Sequence, residues 1–169
     1  MRDQLNITWC EDPLEADSVA RFFVRHVDSD YISHGELQLG RATDPEQWSP
    51  DLALLVADEI RGAIEDGAQS ERRVVTADIG SRLAAMALVG FHRGFHSGYV
   101  VLEDLVVDKA LRRNGIGDAV LKWIEKEAGS AGCQRIFLES SIRNRGAHNF
   151  FERHGFRPCS LVMMKSAGA

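Results

Sequence analysis

Between positions 112 and 117 the chain reads Arg-Arg-Asn-Gly-Ile-Gly, and no other segment has residue types and spacing that point so directly to chemistry. The segment joins an apolar run, Leu105-Val106-Val107, to a stretch where Ile116, Ala119, Val120, Trp123, Ile124 and Ala128 recur at helical spacing. Glycines at a strand-to-helix junction let the backbone approach a ligand closely, and the first-turn amides of a helix have no partner within it. Those amides, the positive end of the helix dipole and two adjacent arginines suit an anion, a diphosphate above all. A glycine-rich turn beside a solvated basic pair would read the same way in so short a motif. The pattern Gly-x-Gly-x-x-Gly does not continue after Gly115 and no Walker A lysine follows, so neither common nucleotide loop fits.

Just upstream, Glu103 and Asp104 interrupt a run that is otherwise apolar, Val100-Val101-Leu102 before them and Leu105-Val106-Val107 after. Neighbours on a strand point to opposite faces, so the two carboxylates are not expected to share a site. Burying an unpaired carboxylate costs several kcal/mol, so each must be ion-paired, hydrogen-bonded or open to a cleft. In the polar segment 28–50, Tyr31, His34 and Glu36 are candidates for lining a pocket, with Glu36 able to attract a cation; a solvated connector is the competing reading. His92 and His96 flank a hairpin turn, where exposed histidines are ordinary. The cysteines, Cys10, Cys133 and Cys159, are odd in number and lack ligand-like spacing, so neither a disulfide framework nor a metal site is expected.

The elements that must position these residues follow from the pattern. Residues 4–9 read as a strand, and Asp12-Pro13-Leu14-Glu15 opens a helix whose apolar face runs from Ala16 to Val27. Ser49-Pro50 opens a second helix that closes near Gly67. Short β-rich runs follow at 72–79, 82–91 and 98–107, separated by glycine-containing turns, which predicts an antiparallel meander. Then come a helix over 115–128, a strand over 134–140, a helix over 145–154 between Asn144 and Gly155, and a last strand over 160–165. The order predicts an α/β (α+β) class: a mixed, mostly antiparallel sheet of about six to seven strands with helices on both faces. Trp123 and the pair Met163-Met164 read as core or interface packing.

Leu102-Glu103-Asp104-Leu105-Val106-Val107-Asp108, the loop at 112–117, and Asn144 followed by Ala147, Phe150, Phe151, Gly155 and Phe156 together resemble the GNAT N-acetyltransferases over roughly residues 70–165. The resemblance implies acetyl-CoA as donor, bound by Arg112, Arg113, Asn114, Gly115, Ile116, Gly117 and Asp118 around its pyrophosphate. It further implies that Leu105, Val106 and Val107 pair through their backbone with the pantetheine arm and the acetyl carbonyl. Asn144 would contact that arm, and the helix carrying Phe151 would pass the thiol. Among acetyltransferases with a Leu-Glu-Asp strand the glutamate, here Glu103, is the proposed general base, and an amide near Val106 would hold the oxyanion. Phe151 departs from the pattern, because tyrosine is common there and its hydroxyl is the usual proton donor to the CoA thiolate. Ser140, Ser141, His148 or water would have to substitute. On this reading the chain is one domain, with 1–70 mainly on the acceptor side and 71–165 as the acetyl-CoA core. Tyr31, His34 and Glu36 then fall on the acceptor side.

The expected reaction is direct transfer to a primary amine of a small molecule without a metal, the alternatives being a peptide or protein N-acetyltransferase and a non-catalytic acyl-CoA sensor. A length of 169 residues suits one domain with a sizeable core. A net charge of −5 without a dense Lys/Arg tract speaks against nucleic acid as a partner. No apolar run reaches membrane-spanning length and the N-terminus lacks a signal pattern, so a cytoplasmic protein with no membrane partner is expected. The family often dimerises, which extends a homodimer to this chain as an expectation.

Overall fold

The computed structural model describes residues 4–67, 71–94 and 96–168, and these form two compact units. One consists of the chain up to Val27 together with Ala53–Glu139; the other consists of Asp28–Leu52 and the chain from Ser140 onward.

The first unit is built on a five-stranded sheet in the order β1-β4-β5-β6-β7. Its strands are β1 (Leu5–Trp9), β4 (Arg72–Ile79), β5 (Arg82–His92), β6 (Gly98–Val107) and β7 (Cys133–Leu138). All neighbours are antiparallel except β6 and β7, which are parallel and joined through α4 (Ile116–Ser130). Ala84 through Val89 on β5 are all at most 1% exposed, so this central strand is covered on both faces. α4 covers one face, where Trp123 meets Trp9 at 4.8 Å and Trp9 in turn meets Phe91 at 5.9 Å. The opposite face carries Arg72, which bonds to Glu59 of α3 (Leu52–Glu65). Arg61 of α3 reaches Asp17 of α1 (Ala16–His26), which places α1 beside α3. The expected α1 start is present: Asp12 accepts from the Leu14 amide, and Pro13 stands in the short 3-10 turn that leads into the helix.

In the second unit, α2 (His34–Gln38) precedes a small hairpin of β2 (Ala42–Asp44) and β3 (Gln47–Trp48), and α5 (Arg145–Arg153) follows Asn144. Arg143 ties the two segments together by donating to the Ser29 and Pro45 carbonyls.

The main sheet has five strands, fewer than the six to seven expected. The strand expected over 160–165 is absent, because that segment joins no ladder and Leu161, Val162, Met163 and Met164 are 55–86% exposed. An apolar run becomes a strand only where a sheet edge takes its N–H and C=O groups. Met163 and Met164 are accordingly not core residues. Among the described residues no helix is long and apolar enough to cross a membrane.

Candidate functional site

The site starts from a divergence in the sheet. β6 pairs with β7 only from Gly98 to Leu102, the last partners being Leu102 and Leu138, whereas its pairing with β5 continues to Val107. Beyond Leu102, one edge of β6 is therefore left without a strand partner among the described residues. The Asp108 amide donates to the Ala84 carbonyl at 2.9 Å, which fixes the phase of the antiparallel ladder. Hydrogen-bonded and non-hydrogen-bonded pairs alternate along such a ladder, so Val106 and Asp104 bond toward β5 while Leu105 and Val107 turn their N–H and C=O groups to the open edge. The Val106 amide itself therefore faces β5, the amides that face the open edge are those beside it, of Leu105 and Val107, and the Val106 side chain is 3% exposed in the core.

At the end of that edge lies the glycine-rich loop. Gly115 is the N-cap of α4 at φ +80°, a left-handed conformation that suits glycine, and no side chain caps the helix there. Ile116 and Gly117 thus present first-turn amides at a helix N-terminus, with Asp118 in the same turn. Arg113 holds φ +65°, the one non-glycine residue with positive φ among the described residues. Asn114 donates to the Leu111 carbonyl at 3.2 Å. Arg112 does not point its guanidinium into open space: Nη2 donates to the His26 carbonyl at 2.7 Å and Nε to the Val107 carbonyl at 3.2 Å. Its side chain holds the loop against α1 and the end of β6.

Asp108 completes this clamp. It is buried, accepts from the Ala110 amide at 2.9 Å and pairs with Arg82, while His26 Nδ1 stands 3.7 Å away and accepts from the Lys109 amide at 3.1 Å. Burial would raise the Asp108 pKa, but the Arg82 bond, the Ala110 amide and His26 outweigh it and hold it below the usual carboxylate value. Burial pushes the His26 pKa down, and Arg25, Arg112 and Lys109 add to that against the pull of Asp108. A neutral ring is what a histidine accepting from an amide requires. An open groove of about 830 Å³, lined among others by Asn6, Ser18, Thr76 and Asp78, borders the same clamp.

Glu103 stands where β6 leaves β7, and a bulge places it. Val101 opposes Gly90 and Asp104 opposes Leu88, so Glu103 is the extra residue on β6. Cross-strand partners share a face, as do residues two apart on a strand, so Asp104 lies on the face of Gly90. The Glu103 carboxylate lies on that face too, because a Cβ added to Gly90 would meet its Oε1 at 2.8 Å. The expectation that Glu103 and Asp104 point to opposite faces is therefore overturned by the bulge. Asp104 is 2% exposed, whereas the Glu103 side chain is 25% exposed.

Arg72 holds Glu103 with two bonds, Nη2 to Oε2 at 2.6 Å and Nε to Oε1 at 3.2 Å, and its Nη2 also reaches Glu59 Oε2 at 3.1 Å. Burial alone would lower the Arg72 pKa, but Glu103 and Glu59 outweigh it and keep it above its ordinary value. Beside this cluster, His92 stacks on Tyr99 at 4.9 Å and 17°, and Tyr99 meets Phe137 edge-on at 5.7 Å. The sequence signal for this cluster was Gly90, a glycine inside an apolar strand, which marks a close approach.

The remaining candidates belong to the second unit. Tyr31 ends a 3-10 turn with its ring 6.3 Å from Trp48, and His34 is the first residue of α2. Glu36 is 6% exposed and forms a capping box, accepting from the Ser33 amide at 2.6 Å and hydroxyl at 2.7 Å, with Arg41 at 3.9 Å. Its burial follows from that helix start rather than from a ligand. Asn144 caps α5 by accepting from the Ala147 amide at 3.1 Å, which leaves its NH₂ group available. Phe151 packs between Phe150 and Phe156. The Ser140 hydroxyl is buried without a hydrogen-bond partner among the described residues, and the Ser141 hydroxyl accepts from the Arg143 amide. Cys10, Cys133 and Cys159 are all free thiols; burial and the Glu15 carboxylate push Cys10 up to about 12, the reverse of an activated nucleophile.

A family model described as acetyltransferase (GNAT) family matches residues 36–156, well over half of the chain. The chain belongs to the GNAT acetyltransferase family. Two curated relatives are similar to part of it. The aminoalkylphosphonate N-acetyltransferase of Salmonella typhimurium is 32% identical over 85 residues, 48% of this chain and 55% of the relative. The N-alpha-acetyltransferase MAK3 of Arabidopsis thaliana is 34% identical over 68 residues, 40% of this chain and 35% of the relative. The match thus spans about half or less of these relatives. A solved structure described as a transcriptional regulator from Bacillus halodurans superposes with a TM-score of 0.71 at 17% identity, covering 96% of this chain and 99% of that one. At that identity it shows a shared fold alone. In this GNAT chain the match includes the β6 edge, the loop, Glu103 and α5.

Proposed function

We propose that this chain transfers an acetyl group from acetyl-CoA directly to a primary amine of a small molecule. The observation that carries the reading is the edge of β6 at Leu105 and Val107, which β7 does not cover and where Arg112 takes the Val107 carbonyl but not the two amides, running into the Gly115-capped start of α4. Those two edge residues can pair with an extended, amide-bearing arm, and the Ile116 and Gly117 amides can take the diphosphate at its end. The outward amides at the same edge suit the oxyanion that forms when the thioester carbonyl is attacked. Asn144, through its free NH₂, and Phe151, through its ring, are the second unit's proposed cofactor contacts. Tyr31 and His34 are its proposed acceptor contacts, with Glu36 acting through the cap of α2. Glu103 is the proposed acceptor-side carboxylate, a charge partner for the ammonium at the point where β6 becomes free.

The relatives divide between a small-molecule name and an N-alpha-acetyl name, so the acceptor is tested by a panel: spermidine, 2-phenylethylamine, glucosamine, 2-aminoethylphosphonate and a short peptide with a free N-terminus. Each is incubated with acetyl-CoA while free CoA thiol is measured. Thiol release that depends on one of the small amines supports the reading; release with the peptide alone moves the acceptor to a peptide. Binding of acetyl-CoA with no release for any amine would make the chain a sensor, a role that the missing hydroxyl at Phe151 would fit.

A further inference from the structure

Glu103 is well placed to attract an ammonium, yet each of its oxygens already accepts a hydrogen bond from Arg72. Those bonds fix the carboxylate in place and occupy a lone pair on each oxygen. A second group able to accept a proton on the same face is His92. A Cβ added to Gly90 would meet His92 Nε2 at 2.9 Å and Glu103 Oε1 at 2.8 Å, so both polar atoms converge over the bare backbone of Gly90. The ring is held there by stacking on Tyr99. Glu71 Oε2 stands 3.9 Å from Nδ1, so the carboxylate of Glu71 lies on the side of the ring away from Nε2. The His92 side chain is 31% exposed, so a proton it receives has a path to water.

We propose that His92 is a further catalytic residue, which removes the proton from the acceptor ammonium while the Glu103–Arg72 pair orients it. The inference rests on the acetyltransferase reading above. An ammonium ion-paired with Glu103 gives one proton to His92 Nε2, and the freed amine lone pair forms a bond to the thioester carbonyl carbon. The C–S bond then breaks, CoA leaves as a thiolate, and the second N–H proton passes to the sulfur, directly or through water. The products are an N-acetyl amide, CoA thiol and one proton, which His92 releases to solvent.

Gly90 has the role of keeping this meeting point open. Any side chain there would press on both the carboxylate and the ring, since a contact under 3.0 Å forces one of them to move.

The test uses the full chain, acetyl-CoA and whichever panel amine gives the fastest thiol release. His92→Gln is expected to lower kcat about 10²-fold, the usual scale of a lost general base. The KM for acetyl-CoA and the melting temperature should stay unchanged. His92→Ala is expected to regain activity when free imidazole is added, and His92→Gln is not, because its side chain fills the space. A His92→Gln kcat within twofold of the parent overturns the proposal. So does a loss in His92→Ala that imidazole does not restore, because that is the mark of a structural role. If the parent protein releases no thiol with any amine, the acetyltransferase reading itself fails, and that outcome is distinct from failure of the variants alone.

Discussion

At the loop around Gly115 the groups offered to a ligand are backbone amides, whereas around Glu103 they are side-chain atoms already engaged with one another. The two regions lie at opposite ends of the same stretch of β6 and are held in place by different means. The loop depends on a left-handed Gly115 and on Arg112 and Asp108, which fasten it from behind without occupying the amides. The Glu103 cluster depends on a bulge, a bare Gly90 and Arg72 shared between two carboxylates. A backbone site can be fastened by polar residues and still leave its own donors free. A side-chain site must give up part of its hydrogen-bonding capacity to be held in position.

Glu103→Gln should sharpen this contrast most. It keeps the shape but removes the charge that orients the ammonium, so turnover is expected to fall at least about 10²-fold while acetyl-CoA affinity is kept. Steady-state kinetics and calorimetric titration on the same variant check both halves. Parallel loss of acetyl-CoA affinity and stability would mean that the carboxylate serves only the ion cluster, at about 1–3 kcal/mol for the unsatisfied partner.

Gly115→Val acts on the other region. A β-branched residue at φ +80° is strained by roughly 1–2 kcal/mol, and its side chain would also stand where a diphosphate approaches. The strain itself lowers the melting temperature, and acetyl-CoA affinity is expected to drop at least about tenfold because the added side chain obstructs the approach to the amides. Thiol release at saturating acetyl-CoA should change far less. Unaltered affinity would show that the loop is only a turn.

Asp108→Asn loosens the loop from behind. The Arg82 pairing is weakened while the Ala110 bond can survive, so a modest rise in the KM for acetyl-CoA is expected with little change in the KM for the amine. Acid should act through the same clamp. The folded-state pKa values of His26 and Asp108 are both depressed, so their stabilisation is full above the unfolded values and is lost as pH falls through the folded ones. The His26 share therefore erodes below about 6.5 and the Asp108 share only below about 3.9. Melting temperatures across that range should show the earlier loss abolished in His26→Gln.

The same contrast explains what the sequence made legible. The loop was readable because backbone sites need glycine at fixed offsets from a helix start, and Gly115, Gly117 and the stripe from Ile116 onward display that need. The meander and all four helices expected from periodicity or caps are matched to within a few residues, as α1, α3, α4 and α5, whereas α2 was not among those expected. Arg72, Glu59 and Glu103 were not readable as one cluster with His92, since 13 and 31 residues separate Arg72 from its two bonded partners and nothing in their types announces the pairing. The bulge escaped because the apolar runs on both sides of Glu103 and Asp104 are continuous and so carry no phase in which an inserted residue could show. The run 160–165 misled because its apolar side chains say nothing about whether a sheet edge is there to receive them.

The central claim is that acetyl-CoA lies along the free edge of β6 and ends at the start of α4. Amide chemical shifts and exchange rates, recorded on the full chain with and without saturating acetyl-CoA, test it most directly. The expected result is perturbation and slowed exchange at Leu105, Val107, Ile116 and Gly117, with the Asn6, Ser18 and Thr76 amides of the open groove unaffected. Changes confined to that groove, or none at the four edge and helix-start amides, would contradict it.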